Sequence, residues 1–123
     1  GIRDSVASRG LGDVYKRQAL VEESNEGGVE MMSIINLQKE QILHTHYCGA
    51  MNRPVGELHS NKDGVIKFLT NQERSGLDEN KELFVGYWEF NLLPNDSEKF
   101  IYKYEAVSPN GGFTAVAEMS RIR

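Results

Sequence analysis

From Ala19 onward, hydrophobic and polar residues alternate in short runs separated by turn-forming residues. A period of two is the mark of a strand with one buried face. Val29–Leu37 predicts a strand, although its Met-Met and Ile-Ile pairs blur the alternation. Gln41–Cys48 is its hairpin partner across Gln38-Lys39-Glu40. Val55–His59 and Val65–Thr70 make a second hairpin, whose Asp63-Gly64 suits a turn with positive φ angles. A polar loop over 71–81 leads to Glu82–Phe90, then Lys99–Val107 and Phe113–Ile122, joined by turns at Pro94–Ser97 and Ser108–Gly112. Ala19–Ser24 is an eighth strand candidate, and no run in this region carries a sustained helical stripe. Short strands at regular spacing predict an all-β fold, an antiparallel meander curled into a barrel or sandwich.

Composition narrows the function classes. At 123 residues the chain fits one domain, and no apolar run approaches the roughly 18 residues of a membrane span. Fourteen basic residues against eighteen acidic ones give a net charge of −4. That balance argues against nucleic-acid binding, which rests on neutralising phosphates. The single cysteine excludes an intramolecular disulfide and fits a reducing cytoplasm. There is no phosphate-binding glycine loop ahead of a helix and no Gly-x-Ser-x-Gly elbow; Gly27-Gly28 and Gly111-Gly112 read as turns. Glu22, Glu23, Glu26 and Glu30 form an acidic patch, expected to be a solvated face. No cofactor can be read from the sequence.

The chemically distinctive stretch is His44-Thr45-His46-Tyr47-Cys48-Gly49-Ala50-Met51-Asn52-Arg53-Pro54. Strand alternation puts His44, His46 and Cys48 on one face and Leu43, Thr45 and Tyr47 on the other, so His46 and Tyr47 cannot both line one cavity. Two imidazoles two residues apart can reach one zinc ion, with a thiolate as third ligand. The simpler expectation is hydrogen-bonded histidines on a polar barrel wall. Without a basic neighbour or a helix N-terminus, Cys48 reads as a small buried residue rather than a nucleophile. Phe84 and Trp88 share a face with Phe90 on either side of Gly86, which leaves room for a ligand or marks a bend. Phe100, Tyr102 and Tyr104 form a second aromatic stripe.

Thr45-His46-Tyr47-Cys48 followed by Asn52 and Pro54 resembles the THYC…NxP signature of uncharacterised, lipocalin-like bacterial proteins with small calycin-type barrels. Val21-Glu22-Glu23 and Gly28-Val29-Glu30-Met31 resemble that family's glutamate-bearing strand and the strand before the motif. The likeness covers about residues 19–123 and is clearest over 41–54. It implies a lipocalin-like β-barrel. Family members often carry a His-x-His segment where this chain has Gly86-Tyr87-Trp88, and a Gln where it has Arg53. The resemblance therefore favours an aromatic-lined cavity over a metal site.

The opening stretch is of another kind. Residues 8–18, SRGLGDVYKRQ, resemble the translated read-through of a sequencing adapter found at the ends of assembled environmental fragments. Residues 1–18 are thus expected to be a non-native or disordered segment, standing where the family's first helix and strand would be, so that the barrel lacks its first strands. They carry Arg3, Arg9, Lys16 and Arg17 against Asp4 and Asp13, so the charge without them is −6.

The function these readings imply is non-enzymatic binding of a small, partly apolar or aromatic molecule in the barrel, with His44, His46, Cys48, Phe84 and Trp88 as ligand contacts. One alternative is a metal- or His-assisted hydrolase or isomerase using the His44/His46/Cys48 face. Another is an interaction module that dimerises through an open sheet edge.

Overall fold

The computed structural model describes residues 2–4, 11–14 and 19–121, the first two stretches by their backbone. In chain order the elements are β1 Ile2–Asp4, β2 Leu11–Val14, β3 Ala19–Glu26, β4 Val29–Gln38, β5 Gln41–Tyr47, β6 Val55–Lys62, β7 Val65–Thr70, α1 Gln72–Ser75, β8 Phe84–Leu92, β9 Lys99–Val107 and β10 Phe113–Ser120. One sheet holds all the strands in the order β1-β10-β9-β8-β7-β6-β5-β4-β3-β2. From β3 to β10 it is an antiparallel meander; β1 lies parallel to β10, and β2 antiparallel to β3. The expectation for residues 1–18 falls mostly outside the described residues. No helix among the described residues is long and apolar enough to cross a membrane.

Turn chemistry sets the registers. The two-residue turns Gly27-Gly28, Lys39-Glu40 and Asp63-Gly64 all have positive φ at both positions. That geometry matches the right-handed twist of the strands they join. Lys39 (φ 47°) and Glu40 (φ 69°) adopt it with side chains that disfavour the left-handed region. Replacing the pair by Asn-Gly is expected to stabilise the fold by about 1 kcal/mol, raising Tm by about 3–5 °C. A thermal melt with no increase would show that this turn is not under strain. Within the polar loop, Asn71 caps the single-turn helix α1 by accepting from the Arg74 N–H at 2.9 Å, and left-handed Gly76 ends it.

The sheet is curled into an open half-barrel. The Tyr104 hydroxyl on β9 donates to the Glu26 carboxylate on β3, six strands away in the ladder. Only a strongly curved sheet brings those strands face to face. Register shifts between Leu58 and Ser60 and between Val85 and Tyr87 mark irregularities of the bulge kind, which increase local twist.

The concave side is divided into two walls. Strands β7 to β10 supply an apolar wall that includes Phe68, Val85, Trp88, Phe90, Phe100, Tyr102, Tyr104 and Met119. Strands β3 to β5 supply the buried polar residues Glu22, Ser24, Glu26, Ser33, His44 and His46. The aromatic stripe Phe100/Tyr102/Tyr104 is buried as alternation predicted. The stripe on β8 needs correction. The irregularity at Gly86 shifts the alternation, so Val85, not Phe84, joins Trp88 and Phe90 in the core cluster.

Candidate functional site

The polar wall is built from a cross-strand row. Glu22 on β3 pairs with Ser33 on β4, and Ser33 pairs with His46 on β5; one step along, Ile35 lies opposite His44. This register points Glu22, Ser33 and His46 to the same side. The Ser33 hydroxyl and His46 Nδ1 lie 2.8 Å apart, forming a buried hydrogen bond. Burial holds the His46 imidazole down at about 4, so it is neutral at ordinary pH.

His44 is fully enclosed, and neither ring nitrogen has a hydrogen-bond partner. Its ring stands edge-on to Trp88, with centroids 4.4 Å apart, and lies within 5.5 Å of the Phe68 and Phe90 centroids. Burial first, and nearby His46 second, hold its pKa well below the usual imidazole range.

Glu22 and Glu26 overturn the expectation of a solvated acidic patch: both are buried on the interior side, whereas Glu30 is exposed. Burial pushes the Glu22 carboxyl up to about 7; Glu23 and Glu26 add to the rise, while the nearby Ser33 and Ser24 hydroxyls oppose it. Those hydroxyls sit close enough to act on the carboxylate, but neither makes an aligned hydrogen bond, and both Glu22 oxygens are left without a partner. Opposite, the Tyr102 hydroxyl is also buried and unpartnered. Burial, then Glu22, raises its pKa well above the ordinary tyrosine value.

The remaining residues of the motif are structural. His46 N–H donates to the Pro54 carbonyl at 3.0 Å, and Cys48 N–H to that of Asn52 at 3.1 Å. The Asn52 side chain donates to the Leu83 carbonyl at 2.8 Å, tying the loop to the approach of β8. On β5, His44 and His46 are buried, Cys48 beyond its end is half-buried against the core and Tyr47 is 45% exposed, whereas Leu43 on the opposite face is buried too. Burial raises the Cys48 thiol, which keeps it protonated and weakly nucleophilic. Phe84 is buried apart from the core cluster and lines a cleft of about 590 Å³ with Thr70, Gly86, Glu105 and Phe113. The structure thus gathers His44, His46 and Trp88 at one place, with Cys48 at its margin, and separates Phe84 from them. Among the described residues, no three His, Cys, Asp or Glu side chains are placed to hold a metal ion.

Sequence reasoning missed Glu22, Ser33 and Tyr102 as site residues. The available signal was parity: Glu22, Ser24 and Glu26 share a strand face in the way His44 and His46 do. Parity alone does not say which face turns inward. The protein is an open β-half-barrel with an aromatic wall facing a polar one. No family model, curated protein or solved structure matches the chain.

Proposed function

We propose that this chain is a non-enzymatic binder of a small, partly apolar molecule, held on the concave face between the two walls. The supporting observation is a set of buried polar atoms without hydrogen-bond partners: both Glu22 oxygens, Glu26 Oε1, both His44 nitrogens, Trp88 Nε1 and the Tyr102 hydroxyl. Leaving such atoms unpaired costs about 1–3 kcal/mol each, so a fold that keeps several on one surface is suited to a guest that pairs them. An apolar body fits against Trp88 and Phe90, and a hydrogen-bonding group fits the β3–β5 wall. The lipocalin-like kinship suggested by the THYC…NxP run agrees with this reading.

Native mass spectrometry of the full chain, purified without added ligand, is expected to show an organic adduct that denaturation releases. Calorimetric titration with 1-naphthalenemethanol, a neutral apolar probe, is expected to show saturable binding. A clean apo mass together with no heat from the probe would sink the reading.

A further inference from the structure

We propose that the polar group the β3–β5 wall selects is a basic nitrogen, an amine or amidine, seated between the Glu22 carboxylate and the Tyr102 hydroxyl. The inference rests on the binding function proposed above and names its ligand class. Glu22 is fully buried, and both of its oxygens lack partners. Tyr102 faces it from the opposite wall with its hydroxyl equally unpartnered, and Ser33 lies close to both. Among the described residues, none of the buried ones is Lys or Arg, so none supplies a buried counter-charge.

Glu26 does not compete for the same group. Its backbone stands four residues along β3, about 13 Å from that of Glu22, and one of its oxygens already accepts from Tyr104. An ammonium at Glu22 would donate to one or both carboxylate oxygens and to the Tyr102 oxygen, satisfying acceptors that the protein leaves open. A carboxylic acid or phosphate would meet like charge there instead. Burial above all pushes the Glu22 carboxyl up to about 7, and an adjacent cation would restore the charged form.

The test is calorimetric titration of the full chain at pH 8 with three probes on one apolar body: 1-naphthylmethylamine, 1-naphthalenemethanol and 1-naphthylacetate. The amine is expected to bind about tenfold or more tighter than the alcohol, and the acid more weakly than either. Glu22→Gln, which keeps the side-chain shape and removes the charge, should abolish the amine's advantage and bring the amine-to-alcohol affinity ratio to about one. Equal binding of amine and alcohol, or a preference that survives Glu22→Gln, would overturn the cation assignment while leaving the binding function intact. No binding of any probe would overturn both.

Discussion

Trp88→Ala is expected to remove about 3–5 kcal/mol of stability, a large part of what a domain of this size possesses. Trp88 is fully buried and is the chain's only tryptophan. It joins the two walls: its indole belongs to the apolar cluster of β7–β10 and also packs edge-on against His44 and His46 of β5, with centroids 4.4 and 5.7 Å away. Gly56 of β6 lies directly beneath it, where an added Cβ would come within 2.8 Å of the indole. Truncation would open a void roofed by His44, whose ring nitrogens already lack partners. Trp88→Phe should cost less, because the Nε1 it deletes has no partner to lose. Urea unfolding at pH 7 checks both. A loss below about 1 kcal/mol for the alanine variant would show that the walls close over the gap and that Trp88 is not what joins them.

The second large effect is a pH dependence with two opposing limbs. Glu22, raised from an ordinary 4.5 to about 7, binds a proton more tightly folded than unfolded. Its contribution is therefore full below pH 4.5 and is lost as pH rises through 7, a change of about 3 kcal/mol. His46, lowered from 6.5 to about 4, behaves oppositely: its contribution is full above 6.5 and is lost as pH falls to 4, again by about 3 kcal/mol. His44 is shifted the same way and adds to the acid limb. Glu22 offsets one histidine between pH 4.5 and 6.5, so the protein should be most stable near pH 6.5 and weaken on both sides. Glu22→Gln removes only the alkaline limb. It should stabilise by about 3 kcal/mol more at pH 8 than at pH 4.5, as measured by urea unfolding at both values. The same effect at both pH values would mean that Glu22 titrates as an exposed carboxylate.

These two predictions use residues that differ in how legible they were. The β5 histidines could be read directly: alternation placed His44 and His46 on one face, and the structure turns that face inward. The acidic strand shows the limit of the same rule. Alternation groups Glu22, Ser24 and Glu26 correctly, but the ordinary preference of carboxylates for water assigned them outward. Cross-strand register decided otherwise, because Glu22 is locked opposite Ser33 and Ser33 opposite His46. If the histidines face the interior, so must the glutamate. Phe84 failed for another reason. A register shift at Gly86 changes parity, and no count of alternating residues can see it.

By itself, the sequence determined the all-β class, the meander order and most of the turns. Those follow from interactions between near neighbours: alternation with a period of two, Asp-Gly and Gly-Gly in left-handed turns, and the absence of any helical stripe long enough to compete. Tertiary structure decided which face of each strand became the interior, where the register shifts reverse that face, and that Glu22 and Tyr102 meet across a sheet curled through six strand positions. Their encounter depends on accumulated twist and strand register over the whole sheet, which no local stretch of residues encodes.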